Sequence, residues 1–335
     1  MRNSNPTRLK DIAEKTGFST NTVSLALRES PRIPAETREV IRQAAIELKY
    51  FPNHVAKSLV SRETKTIGLV LTHIMNPTLT QTAQHVELAL AERGYGTLFA
   101  TSNGTLAEEI RVIEMFRARR VDGMLIYPAV HNRLEHLKPL REAGFPIVLI
   151  AGPDAGFDLI GIDDRSGAQR ATRHLIDLGH KRIGFLDPWH ELGNDEKREG
   201  YEAALKQAGI AFDPALLIET SGHYATHGYY AMDELMAIAE PPTAVFAHND
   251  SLALGALRWC HKHGRRVPKD VAIMGYDNIE YSEFAEPPLS TINYAVDVVS
   301  RMAVERIMRL IAAGDQQPEP RVTLIDPELV VRGST

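Results

Sequence analysis

Two sets of polar side chains stand out by type and spacing. Thr20, Asn21, Thr22 and Ser24 put four hydrogen-bonding groups near the start of a helix-competent run that Ser19 can cap. A DNA-reading helix presents such residues to base edges from its first turns. The second set lies farther along, each member at the end of a short β-rich run: Thr72 with His73, Tyr127, Asp187 with Trp189, His248 with Asn249 and Asp250, and Tyr276 with Asp277. In open parallel sheets, ligands sit outside the carboxyl ends of the strands, so these side chains converge if the runs share such sheets. Aromatics beside carboxylates and amides offer a flat face to C–H surface and acceptors to hydroxyls. A sugar or a related small polar molecule fits.

The chemistry of an enzyme is missing. The chain has no Gly-x-x-x-x-Gly-Lys phosphate loop, no Gly-x-Ser-x-Gly elbow, no strand-linked Gly-x-Gly-x-x-Gly and no paired nucleophile and base. His223 and His227 are spaced to put two imidazoles on one helix face, but no third ligand accompanies them, so no metal and no cofactor is expected. Cys260 lies in an apolar helical run with Leu257 and Trp259, as a buried inert thiol would. Asp163-Asp164 and Asn249-Asp250 each open a helical run and read first as caps.

The elements that must hold these residues fall into two parts. Leu9, Ile12 and Ala13 recur at helical spacing, Gly17 breaks the run, and Val23, Ala26 and Leu27 form a second apolar stripe. A third run follows Pro34, with Val40, Ile41, Ala44, Ala45 and Leu48 on one face, and Tyr50-Phe51-Pro52 ends it. This predicts a helix-turn-helix with a supporting helix. From residue 66 onward short β-rich runs alternate with helical ones, which predicts parallel sheets. Ile183-Gly184-Phe185-Leu186 mirrors Ile67-Gly68-Leu69-Val70, so the body reads as two lobes of common design with several crossings between them.

Composition agrees with this division. The 335 residues are 44% hydrophobic and 24% charged, which excludes disorder and collagen-like folds. Residues 1–65 carry 12 Lys+Arg against 7 Asp+Glu, a net charge of +5, in a chain whose total is −5. A small basic segment on an acidic body suits one end that meets a polyanion. A single cysteine, no secretory leader in the first twenty residues and no apolar run long enough to span a bilayer point to a cytoplasmic protein away from membranes.

Taken together, Leu9-Lys10-Asp11-Ile12-Ala13, Gly17-Phe18-Ser19, Thr22-Val23-Ser24, Thr37-Arg38, Tyr50-Phe51-Pro52-Asn53 and Val55-Ala56 resemble the lactose-repressor (LacI/GalR) family of bacterial transcription regulators. The resemblance continues through Asn76-Pro77, His174-Leu175, Leu178-Gly179-His180, Gly200-Tyr201, Asn249-Asp250, Gly275-Tyr276-Asp277 and Val331-Arg332-Gly333. It implies a small all-α helix-turn-helix headpiece at 1–52 and a hinge helix and linker at 53–65. The remainder, 66–335, would be a periplasmic-binding-protein-like α/β core of two doubly wound parallel-sheet lobes. The lobe nearer the DNA would take 66–162 with 293–319, and the distal lobe 163–292 with 320–335.

By the same match, Thr20 and Asn21 read bases, Thr22 and Ser24 touch phosphates or bases, and Asn53, His54, Ala56 and Leu59 belong to a hinge helix that pushes Leu59 into a minor-groove step. Leu25 stands where the family usually has arginine, with Arg28 three residues later as a further DNA-facing candidate. Leucine cannot make the bidentate guanine contact of an arginine. Thr72, Asn76, Lys197, His223, Asn249 and Asp277 fall at effector-contacting positions, joining Tyr127 and Trp189 from the strand-end reading. Lys197 replaces the usual arginine, Tyr294 a common glutamine, and Ala151 a carboxylate found in some sugar-responsive members, which leaves a phosphorylated or acidic sugar open as ligand. The function implied is that of a homodimeric transcriptional regulator, a repressor in most relatives, which binds a near-palindromic operator in double-stranded DNA under control of a small sugar-like effector. The competing reading is a two-lobed solute-binding or sugar-modifying protein without a DNA role.

Overall fold

The computed structural model describes residues 7–51, 63–188, 195–314 and 316–335, in two units that divide at Thr64 and Lys65. In the first unit, α1 (Leu9–Thr16) ends where Gly17 turns left-handed at φ 73° and donates its N–H to Ala13 O. The Ser19 hydroxyl accepts the N–H of Thr22 at 3.0 Å and opens α2 (Thr20–Leu27). Such a cap stabilises a helix by about 1 kcal/mol. Pro34 precedes α3 (Ala35–Glu47). The three helices bury Ile12, Ala13, Val23, Ala26, Ile41, Ala44 and Ala45 around one small core. Val40, expected on the buried face of α3, is 49% exposed. Two short partner helices cover only the stripe through Ile41, Ala44 and Ala45, and Val40 falls on its rim.

The second unit begins with β1 (Thr66–Leu71), α4 (Pro77–Ala91), β2 (Gly96–Thr101), α5 (Leu106–Ala118), β3 (Gly123–Ile126), α6 (Lys138–Glu142), β4 (Ile147–Ile150) and β5 (Asp158–Ile162). Next come α7 (Asp164–Asp177), β6 (Ile183–Pro188), α8 (Glu196–Gln207), β7 (Leu217–Thr220), α9 (Ala225–Leu235), β8 (Ala244–Ala247), α10 (Asp250–Lys262) and β9 (Ala272–Met274). The chain closes with α11 (Glu280–Glu283), β10 (Thr291–Asn293), α12 (Val296–Ala313), β11 (Val322–Ile325) and β12 (Glu328–Val330). One parallel sheet has the order β11-β5-β4-β3-β1-β2, a second has β7-β6-β8-β9, and β10 pairs antiparallel with β12.

The repeat read from the sequence has a packing cause. A Cβ on Gly68 of β1 would lie 2.4 Å from the Phe116 ring of α5, and one on Gly184 of β6 would lie 2.6 Å from Leu235 of α9. Each glycine lets the helix after the neighbouring strand press a large side chain onto the sheet. The crossings between lobes differ from expectation at one place. β11 pairs with β5, Val322 opposite Leu159 and Ile325 opposite Ile162, so residues 322–325 belong to the first lobe and the last crossing follows Ile325. An edge strand carries no local mark of the sheet that it joins. Strand ends of both sheets open onto the space between the lobes, and Thr78 of α4 bonds across it to Asp277. No helix among the described residues is long and apolar enough to cross a membrane.

Candidate functional site

Burial of Val23 and Ala26 turns the opposite side of α2 outward. Thr20, Asn21 and Arg28 are exposed there, while Thr22 and Ser24 are half-buried. The Thr22 hydroxyl lies 2.8 Å from that of Ser19 and helps fix the helix start, leaving Thr20 and Asn21 as the outward polar groups of the first turn. Leu25 is half-buried. Asn53, His54, Ala56 and Leu59 lie outside the described residues, as does Trp189.

In the body, Thr72, Asn76, Tyr127, Lys197, His223, Asn249 and Asp277 line one cleft. Local structure fixes several of them. Asn76 caps α4 with its side-chain oxygen on Thr78 N, and Asn249 caps α10 with its oxygen on Leu252 N. The Asn249 amide also donates to His223 O at 3.2 Å, so the group expected to meet an effector is engaged at both ends within the protein. Asp277 has φ 111°, a region that a non-glycine residue rarely adopts and that clusters at functional sites. Hydrogen bonds from Asp277 N to Ile292 O and from Tyr294 N to Asp277 O hold it against the end of β10. Its carboxyl accepts the Thr78 hydroxyl at 2.9 Å.

Lys197 is the buried cation of the site, its side chain 6% exposed. Its ammonium donates to His248 O at 3.1 Å, sits 3.7 Å above the centre of the Tyr276 ring and lies 3.9 Å from the Asp164 carboxylate. Loss of water pushes Asp277 up to about 7, only partly offset by Lys197. Burial and then the Lys197 charge hold His131 down at about 4, and burial with neighbouring imidazoles does the same to His223. These rings are therefore neutral at pH 7 and offer N–H donors without charge. Burial raises the Tyr127 and Tyr294 phenols, so both keep their protons.

The structure also sorts the remaining candidates. Asp250 is not a helix cap: it is fully buried and accepts Ile279 N, the Ser282 hydroxyl and the Thr291 hydroxyl, at 2.9, 2.6 and 2.6 Å. Asp163 does cap α7, accepting Ser166 N. Asp187 faces His248 at 3.2 Å. His223 precedes α9 while His227 lies within it and accepts Tyr224 N, so the two do not share a helix face. No group of three or more His, Cys, Asp or Glu among the described residues could hold a metal ion. Cys260 is buried, and burial pushes its thiol up to about 11. Thr78 and His131, absent from the sequence candidates, line the cleft. Nearness to Asn76 and to the end of β3 was their only sequence signal.

Comparison with known proteins covers both units. Residues 8–53 match the family described as bacterial regulatory proteins, lacI family, and residues 172–335 match the periplasmic binding protein-like domain. The HTH-type transcriptional repressor PurR of Haemophilus influenzae (strain ATCC 51907 / DSM 11121 / KW20 / Rd) is 34% identical over 97% of this chain and 98% of its own. PurR of Vibrio atlanticus (strain LGP32) is 33% identical with the same coverage. Among solved structures, the lac repressor bound to ONPG in the repressed state has a TM-score of 0.89 at 26% identity, covering 99% of this chain and 100% of that one. The transcriptional regulator CelR in complex with cellobiose has 0.72 at 31%, covering 98% and 100%.

Proposed function

From the premise that the chain belongs to the lacI family of bacterial regulatory proteins, we propose that it is a sequence-specific transcriptional repressor whose operator affinity is set by a small sugar-like effector in the cleft. It binds DNA and does no catalysis. The observation that carries this reading is α2: a capped helix with one apolar side in a core and Thr20 and Asn21 presented at its first turn. The repressors among its relatives support the DNA role, and the cellobiose complex of CelR supports a sugar as ligand. A homodimer on a near-palindromic site follows physically, since a single reading helix makes too few base contacts and two-fold symmetry doubles them. Asn53 to Leu59 would serve as the hinge, with Leu59 as a minor-groove wedge, and the protein would work in the cytoplasm.

The mechanism is differential affinity. Effector favours one lobe angle, and the lobe arrangement that it selects strengthens or weakens the grip on operator DNA. The test is fluorescence anisotropy with operator and random duplexes. Asn21→Ala should lose about 1–3 kcal/mol on operator DNA and far less on random DNA. Equal losses on both would make Asn21 a positioning contact and remove it as a reader of sequence.

A further inference from the structure

Several hydrogen-bonding groups of the cleft are already engaged within the protein. The side-chain oxygens of Asn76 and Asn249 are taken by helix N–H groups, and the Asn249 amide N–H is taken by His223 O. What remains to meet a ligand includes several donors: the amide of Asn76, the phenols of Tyr127 and Tyr294, and the ammonium of Lys197. The Tyr294 hydroxyl, in a residue 4% exposed, has no hydrogen-bond partner among the described residues, nor does Nδ1 of His131, in a residue 5% exposed. Lys197 gives one proton to a carbonyl and one face to an aromatic ring, and its ion partner Asp164 stands off at 3.9 Å without a hydrogen bond. Asp277 is the one carboxyl lining the cleft among the described residues, and Thr78 already occupies one of its oxygens.

A hydroxyl can accept from these donors, but a carboxylate accepts several at once through charge-assisted bonds roughly twice as strong as neutral ones. An acceptor-rich ligand satisfies them. We infer that the effector is a polyhydroxylated monocarboxylic acid, a sugar acid, whose carboxylate is held by Lys197 and the two phenols beside the Asp277 carboxyl. This rests on the cleft being the effector site. Lys197 is the one Lys or Arg lining the cleft among the described residues and already has Asp164 as an ion partner, which disfavours a phosphate dianion.

Binding is then linked to protonation. Asp277 faces Lys197 from α8, Asp164 from α7, Asp250 from α10 and the Thr78 hydroxyl from α4. Its neighbours also include the phenols of Tyr127, Tyr276 and Tyr294, and the neutral rings of His131 and His223 line the same cleft. With that carboxyl titrating at about 7, an acid ligand that needs it protonated binds more weakly as the pH rises. A neutral sugar needs it ionised as an acceptor and binds more tightly as the pH rises.

Isothermal titration of the full-length chain at pH 6 and pH 8 separates the two, using D-gluconate and D-glucuronate against D-glucose, D-glucitol and D-glucose 6-phosphate. The expected result is a sugar acid that binds at least about ten-fold more tightly than its neutral counterpart at pH 6. It should weaken about ten-fold by pH 8 and take up close to one proton per site, as read from buffers of different ionisation heat. Asp277→Asn should bring the ratio of affinities at the two pH values to about one, and Lys197→Met should erase the preference for the acid. Preference for D-glucose or D-glucitol with affinity rising toward pH 8 would overturn the inference and keep the cleft reading, as would preference for the phosphate. Binding of any of these ligands that neither substitution alters would overturn both. Absence of binding by both acids would overturn the inference, because the proton uptake is read on the unmodified protein and does not depend on the variants folding.

Discussion

Asp250 and Asp277 show how position decides the work of a carboxylate. Both lie at the strand-end face of the second lobe, yet Asp250 is enclosed by three donors from α11, β10 and the turn before α11. Asp277 shares its carboxyl with a single hydroxyl and faces open space. Removing the first is a stability event. Asp250→Ala leaves the Ile279 N–H and the hydroxyls of Ser282 and Thr291 without their acceptor. At about 1–3 kcal/mol for each buried unsatisfied group, the loss should be at least about 3 kcal/mol in urea unfolding of the body. Asp250→Asn keeps one acceptor oxygen and should cost less. A fall below about 1 kcal/mol for Asp250→Ala would mean that the site relaxes around the gap. Residue type and neighbours in sequence gave Asp277 correctly as facing the cleft; they could not separate Asp250 from a helix cap, because its partners come from 29, 32 and 41 residues away.

Among the elements, α9 and α10 approach each other closely through glycine. A Cβ on Gly255 would lie 2.0 Å from Ala225 O and 2.7 Å from Tyr229 N, both backbone atoms that cannot rotate aside. Gly255→Ala should therefore push the two helices apart at a cost of about 1–3 kcal/mol or more, despite the better helix propensity of alanine. Thermal unfolding checks this, and an unchanged or raised Tm would show that α9 shifts freely. The displacement would also move Asn249 at the start of α10 and, through its amide, His223 in the cleft. A weakened effector response beside the stability loss is expected. In the headpiece the corresponding element is the cap of α2: Ser19→Ala should cost about 1 kcal/mol and loosen the turn that presents Thr20 and Asn21.

For the whole molecule, function requires the cleft and the DNA-reading unit to be coupled. Allosteric couplings of about 1–3 kcal/mol are usual, so a saturating effector should change operator affinity by about 5- to 150-fold. Leu59→Ala tests the proposed wedge. It should weaken operator binding and reduce the bend seen in gel mobility of circularly permuted operator fragments, since an unstacking side chain is lost. Unchanged affinity and bending would remove Leu59 from the mechanism. The net positive charge of the first 65 residues, in a chain that is acidic overall, predicts a strong salt dependence of that binding, carried by the headpiece.

Sequence alone determined what depends on near neighbours. The helix start at Ser19, the break at Gly17, the strands around Gly68 and Gly184 and the charge division all follow from residues within a few positions, because capping, periodicity and turn conformation are local. Tertiary structure decided what depends on distant partners. The edge strand at Val322–Ile325 joined the first sheet, the Thr78 hydroxyl met Asp277 across 199 residues, and the Asn249 amide turned inward to His223. None of these leaves a local signature, since each is fixed by two segments meeting in space and by the free energy of satisfying polar groups there. The same reason hid the unmet donors of the cleft: the sequence names its polar residues, and only the fold shows which of their atoms are already engaged.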